Sequence, residues 1–266
     1  MSFNIFNILP PEEEILYFSD IWANRADFNL ATIKRYAPDI IAFQELCPEQ
    51  WQTYREPFAE FQHFGAETNL GTAILWKASR FEKIAEGFFY LGDNPHEHKM
   101  DWGADGARSA GWVKLRELTS STEFLVLNTH FDDESELSRI KSAPLILEQL
   151  TQLNPNNDLP IIMCGDFNCN PWSPVYQTFL ADNFVDTYRA AGNADSADSN
   201  TFHGFHGRDY FALEWGNQIF WRVDWILARN GKQRLQTTSC TIVRDAAPPV
   251  FASDHYPVVT ELMFME

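Results

Sequence analysis

Short apolar runs that end on a polar side chain recur along the chain. Residues 2–9, SFNIFNIL, alternate imperfectly and predict a first strand that delivers Asn7 near its end. In PDIIAFQEL, Ile40, Ile41, Ala42 and Phe43 predict a buried strand, with Glu45 at its carboxyl end. In PIIMCGDFNCNP (160–171), Ile161, Ile162 and Met163 predict a core strand, and the Gly, Asn and Pro after them predict the turn that stops it. Period-two geometry then points Asp166 and Asn168 to the same side. The same residues also suit a plain Asx-rich turn. Further strands are expected at 60–65, 69–76, 81–91, 109–118, 123–130, 219–227, 236–243 and 256–264.

Helical spacing is sparser. From Asp20, the positions Ile21, Trp22, Phe28, Ile33 and Tyr36 share one apolar face, and Pro38 stops the run. CPEQWQTYREPF predicts a second helix with Pro48 in its first turn. Asp132–Leu153 is the longest helical pattern, and Pro144 inside it should kink or divide it. Ser173 and Pro174 cap a helix running to about Leu180. Residues 92–107 and 190–201 have loop composition, and 10–19 predict an acidic loop. Single helices spaced among more numerous strands predict an α/β domain over 1–266, with largely antiparallel sheets and covering helices.

Composition and charge change this picture. With 22 Phe and 9 Trp, the chain can fill a large core, yet no apolar stretch is long enough to span a bilayer. The opening MSFNIFNILP has no basic region or small-residue cleavage site, so a cytoplasmic location is the expectation. Cys47, Cys164, Cys169 and Cys240 lack CxxC spacing and are expected to be reduced thiols rather than zinc ligands. The net charge of −17 opposes non-specific gripping of a polyanion and is compatible with a divalent-cation site.

The polar groups at strand ends suggest chemistry when taken together. Glu45 offers the hard oxygen that Mg²⁺ or Mn²⁺ prefers. Asp224, set in the apolar WRVDWIL, needs a partner, and His255 could supply it. Asp166 could hold a water, and Asn168 and His130 could stabilise charge growing on phosphoryl oxygens. Arg108, after the Gly-rich loop, reads equally as a phosphate clamp or a surface ion pair. Arg139 reads as a substrate contact or a solvated helix face. His203, in TFHGFH, suits a substrate-facing lip.

In order along the chain, FNIL with Asn7, DIIAFQEL with Glu45, LNTHFDD with His130, CGDFNCNP with Asp166 and Asn168, RVDWIL with Asp224, and SDHYPVV with Asp254 and His255 resemble the endonuclease/exonuclease/phosphatase superfamily. The overall pattern is most similar to small bacterial members of unassigned substrate. The resemblance implies a four-layer sandwich of two packed mixed, mainly antiparallel sheets flanked by helices, as in deoxyribonuclease I. It implies Mg²⁺- or Mn²⁺-dependent hydrolysis of a phosphate ester by in-line water attack. Carried over by position, Glu45 is the principal metal ligand, with Asn7 and Asp254 close by. Asp166 orients or deprotonates the water, Asn168 and His130 contact the phosphate, and Asp224 with His255 forms a carboxylate–histidine pair.

The acidic balance favours a compact phosphate-ester substrate, acted on by a phosphodiesterase or phosphatase. A nuclease acting on DNA or RNA is the alternative, and only Arg108, Arg139, Arg208 and Arg222 offer a basic rim. A non-catalytic binding module ranks last, because each family motif position is filled.

Overall fold

The computed structural model describes residues 1–9, 13, 15–210 and 222–265. Its strands form two sheets. The first has the order β11(Arg234–Ile242)–β12(Val258–Met265)–β1(Ser2–Asn4)–β2(Ile40–Leu46)–β4(Gly71–Lys77)–β3(Phe61–Phe64). The second has the order β5(Phe81–Tyr90)–β6(Ser109–Glu117)–β7(Glu123–His130)–β8(Ile161–Asp166)–β10(Asp224–Arg229)–β9(Val185–Asp186). Each sheet is antiparallel except for one parallel pair, β1 with β2 and β7 with β8. Helices α1(Trp22–Tyr36) and α2(Pro48–Arg55) cover the first sheet, where Ile33, Trp51 and Tyr54 pack on Phe3, Ile41 and Phe43. Helices α3(Glu136–Leu153) and α4(Pro174–Ala181) cover the second, where Ile146, Leu150 and Phe179 pack on Leu125, Leu127 and Met163. A one-turn α5(Thr187–Ala190) completes the set. This is the deoxyribonuclease I-like four-layer sandwich.

Most expected elements are present, with shifted ends. The first strand stops at Asn4 rather than running to residue 9, and the strand expected at 219–227 is observed as Asp224–Arg229, with 219–221 outside the described residues. α3 is not divided at Pro144 but runs unbroken through it, and its start is set by Ser135, whose hydroxyl accepts from the Ser138 amide. Among the described residues, no helix is long and apolar enough to cross a membrane. All four cysteines are free thiols.

Alternation decides what enters the space between the sheets. In β7, Phe124 and Val126 lie in the inter-sheet cluster while Leu125 and Leu127 pack under the helices. Asn128 and His130 continue the inward-facing row. β8 repeats this with Ile162, Cys164 and Asp166, and β2 with Ile40, Ala42 and Gln44. Each row is apolar at one end and polar at the other. At the apolar end the core is split into two clusters, one around Trp76, Phe124 and Val126, the other around Ala42, Cys164 and Ile226. A cavity of about 690 Å³ opens there, lined by Phe81, Phe124, Ile162, Ile226, Val259 and Phe264 among others.

Candidate active site

The opposite, polar end gathers side chains from both sheets. β1 ends on Asn4, β2 carries Glu45, β7 ends on His130 and β8 on Asp166. β10 begins on Asp224, the antiparallel partner of Asp166. Both parallel pairs thus present their carboxyl ends here, the usual place for a ligand site on such strands. Asp254 and His255 arrive on the segment leading into β12.

Asn4 joins the halves. Its Nδ2 donates to Glu45 Oε1 at 2.8 Å and to Asp166 Oδ2 at 2.9 Å, and its Oδ1 accepts from the Phe6 amide at 3.0 Å. Simple alternation would send Glu45 to the helix side with Phe43. A register shift between Gln44 and Leu46 and a left-handed φ of +63° at Glu45 turn it back. Such a backbone costs about 1–3 kcal/mol and is found where a side chain must be aimed. Glu45 Oε2 accepts from the Asn7 amide at 2.9 Å.

Asp166 is buried. Besides Asn4, it accepts from the Asn168 amide at 3.0 Å, and its Oδ2 lies 3.6 Å from Nε2 of both His130 and His255. Asn168, itself left-handed at φ +48°, donates from Nδ2 to the Phe131 carbonyl at 2.8 Å and lies 3.2 Å from His130 Nε2. His255 Nδ1 lies 2.9 Å from Asp224 Oδ2, while Asp224 Oδ1, although buried, has no hydrogen-bond partner. The amides of Val223 and Asp224 both donate to Thr201 Oγ1 at 3.0 Å. The Ser253 hydroxyl lies 2.8 Å from the Asn4 carbonyl and 3.1 Å from Asp254 Oδ1.

Burial and mutual charge set the protonation of this cluster. Burial pushes Asp254 up to about 6, with the charge of Glu45 acting in the same direction and His255 opposing it. Burial and the charge of Asp224 likewise raise Asp166. Burial would raise Glu45 too, but His130, the Asn7 amide and the Asn4 side chain together hold it below the usual carboxylate value. His255 goes the other way: burial disfavours its charge, but Asp224, Asp166 and Asp254 outweigh that and raise its pKa well above the ordinary value. Burial keeps His130 below its ordinary value against the pull of Asp166, with the charge of Arg108 adding to the lowering.

Four residues expected at the site do other work. Asn7 meets Glu45 only through its backbone; its Oδ1 accepts from the Ile8 amide at 2.7 Å, and Asn4 occupies the place expected of it. The run Phe3-Asn4-Ile5 repeats as Phe6-Asn7-Ile8, and the strand ends within the first copy because Phe6 turns left-handed at φ +54°. Arg108 is spent on Asp105, Asp132 and Asp133 at 3.1, 3.3 and 2.5 Å, which ties the 92–107 loop to the turn after β7. Arg139 donates to the Asp132 and Asp133 carbonyls, both at 2.7 Å, and closes the same turn. His203 is not a lip: it is buried against Tyr256, with ring centroids 4.0 Å apart, and its amide donates to the Asp254 carbonyl at 2.8 Å.

Arg25 was not singled out from its pattern. It is fully buried on α1 and donates to the carbonyls of Ile5 and Phe6, fixing the turn between Asn4 and Asn7. Its signal was a charge on the helix's buried side, between Trp22 and Phe28. Ser253 and Thr201 carried no comparable signal.

Two packed mixed sheets, with carboxylates and histidines gathered at the carboxyl ends of their parallel strands, define the deoxyribonuclease I-like class of fold. The chain belongs to the Endonuclease/Exonuclease/phosphatase family, whose family model matches residues 1–255. Members of this family are phosphoric ester hydrolases. Among curated proteins, it is 27% identical over 186 residues to Protein angel homolog 2 of Danio rerio, covering 62% of this chain and 31% of that protein. It is 26% identical over 176 residues to Uncharacterized protein L388 of Acanthamoeba polyphaga mimivirus, covering 61% of this chain and 65% of that protein. The match thus spans less than two thirds of the length of either relative. Among solved structures, the endonuclease/exonuclease/phosphatase from Bacteroides vulgatus superposes with a TM-score of 0.82 at 25% identity, covering 99% and 97% of the two chains. The Bacteroides thetaiotaomicron mannosyl-6-phosphatase gives 0.82 at 23%, covering 99% and 98%, and Danio rerio TDP2 complexed with a single-strand DNA product gives 0.74 at 16%, covering 98% and 97%. The last two likenesses concern the fold.

Proposed function

We propose that the chain is a Mg²⁺- or Mn²⁺-dependent hydrolase of a small phosphate ester. The observation that carries this reading is the crowding of buried carboxylates: Asp254 is pushed up to about 6, Asp166 is raised beside Asp224, and Asp224 Oδ1 is left without a hydrogen-bond partner. A hard divalent cation relieves such crowding, and an all-oxygen donor set suits Mg²⁺ or Mn²⁺ better than zinc. Glu45 and Asp254 would hold it, with Asn4 fixing the orientation of Glu45. When bound, it would supply charge neutralisation and polarisation of the ester's phosphoryl oxygens.

The chain's own residues account for the rest. Asp166, with its pKa raised by burial and the charge of Asp224 and its carboxylate fixed by Asn4 and Asn168, is suited to orienting a water and accepting its proton. His255, charged and oriented by Asp224, is placed to stabilise negative charge growing on phosphoryl oxygens. Asn168 and His130 flank Asp166 and are assigned to the ester's non-bridging oxygens.

A compact substrate is favoured over a polymer because three of the arginines expected to offer a basic rim or found beside the site, Arg25, Arg108 and Arg139, are engaged within the chain, and Arg222 is buried on Asp186 and Asp195. Arg25 binds backbone carbonyls, Arg108 binds three carboxylates, and Arg139 caps a turn. Residues 211–221, FALEWGNQIFW, add no cation in sequence. The test is hydrolysis of bis-p-nitrophenyl phosphate, sugar phosphates, nucleotides, single-stranded RNA and abasic duplex, with Mg²⁺ or Mn²⁺ and with EDTA. Turnover of the small esters, abolished by EDTA and restored by Mn²⁺, is expected. Preferred turnover of RNA or duplex would replace this reading with a nuclease, and no turnover with any divalent ion would leave a binding module.

A further inference from the structure

We infer that Gln44 and Asn128 are a positioning pair that sets the spacing of the two sheets at the site, and with it the separation of Glu45 from His130 and Asp166. The inference rests on the proposed metal-dependent hydrolysis. Asn128 projects from β7 across the inter-sheet layer. Its Nδ2 donates to the Phe43 carbonyl at 2.7 Å and the Ala73 carbonyl at 2.9 Å, two residues paired in register on β2 and β4. Its Oδ1 accepts from Gln44 Nε2 at 2.6 Å. Gln44 Nε2 also lies 3.2 Å from Ser2 Oγ on β1. Both side chains are completely buried. One amide from the second sheet thus engages β2 and β4 of the first, and through Gln44 it is linked to β1.

The position matters more than the strength. Gln44 directly precedes Glu45, and Asn128 lies two residues before His130 on the same face of β7. Directional hydrogen bonds fix both distance and angle, whereas apolar contacts change little in energy as surfaces slide. Above the pair, a single Asn4 amide spans Glu45 and Asp166, so any change in sheet separation acts directly on that bridge.

Stability does not explain the pair. Gln44 Oε1 is buried without a hydrogen-bond partner. A half-satisfied polar pair is a poorer core than an apolar pair of similar volume. The pair therefore weakens packing while fixing geometry, which is what positioning requires.

The double substitution Gln44→Leu/Asn128→Leu separates the two roles. The metal-free double variant should unfold within a few degrees of wild type, or above it. Its Mn²⁺ affinity, measured by calorimetry on metal-free protein, should fall about 10- to 100-fold, as for residues that orient ligands from behind. kcat should fall by a similar factor, with KM changing less. A folded double variant with wild-type Mn²⁺ affinity and kcat overturns the inference. Should the double variant not fold, Gln44→Met keeps the Asn128 bonds to the Phe43 and Ala73 carbonyls and removes the Gln44 amide with its links to Asn128 and Ser2. It should shift Mn²⁺ affinity and kcat the same way by a smaller factor, and wild-type values for both overturn the inference equally. A wild-type chain that neither binds Mn²⁺ nor hydrolyses any ester sinks the proposed function, and the inference with it.

Discussion

At one end of the space between the sheets, Asn4, Gln44 and Asn128 cross it with hydrogen bonds of 2.6–2.9 Å. At the other end, Phe124, Ile162 and Ile226 border a cavity of about 690 Å³, and the core there falls into two clusters. The same strands build both ends. β7 carries Phe124 and His130, and β8 carries Ile162 and Asp166. The difference is one of tolerance. Apolar surfaces that merely exclude water can leave slack and still hold the sheets together. Groups that must meet a reacting atom cannot, so that end uses directional bonds and accepts buried charge and left-handed backbone at Glu45 and Asn168.

The comparison is tested most severely by removing charge at the polar end. Asp166→Asn and His255→Ala should each lower kcat by about three orders of magnitude or more with the fold intact, as for groups that act in the transition state. Near-normal steady-state rates in either would remove that residue from the chemistry. At the apolar end the loss should be of stability instead. Phe124→Ala should cost about 3–5 kcal/mol in denaturant unfolding while kcat per folded molecule stays at wild type. A fall in kcat there would show that the two ends are not independent.

A smaller effect is expected where the polar end meets its loops. Arg108→Ala leaves the buried Asp132 carboxylate without its cation, and about 1–3 kcal/mol of stability should be lost. Unchanged stability would return Arg108 to the free phosphate clamp suggested by its place in the sequence. The smallest effect concerns pH. Burial holds His203 well below its ordinary value of 6.5, so the folded chain leaves it neutral where the unfolded chain would protonate it. Stability contributed by this group is therefore present above pH 6.5 and is lost as the pH falls below it, by up to about 1.4 kcal/mol per pH unit. In His203→Phe that part of the slope should disappear from unfolding curves between pH 6.5 and 5.

The sequence carried the architecture and much of the site because both rest on short-range pattern. DIIAFQEL, LNTH and CGDFN are buried strands whose last side chain emerges polar, and period two says which face it takes. What it did not carry was long-range. Asn4 and Asn7 stand in identical Phe-Asn-Ile contexts, and only the pairing of β1 with β2 and the left-handed Phe6 distinguish them. Arg108 reads equally as a phosphate clamp or an ion pair, and Arg139 as a substrate contact or a solvated face, until the turn after β7 brings Asp132 and Asp133 to them. His203 reads as a loop residue, yet its neighbour Tyr256 lies far along the chain. Gln44 and Asn128 each resemble ordinary strand polar residues, and nothing local joins them.

β1 lies between β2 and β12, so the first and last strands are side by side. Asn4 and the pair Asp254 and His255, far apart in sequence, meet at the site through this pairing of β1 with β12. Until β12 docks, Asp224 has no His255 to orient, and the Ser253 contact that braces the Asn4 carbonyl is missing. The same arrangement works in reverse: peeling β12 away dismantles the site while the second sheet is still whole, so heat or protease should extinguish hydrolysis before the bulk of the structure is lost.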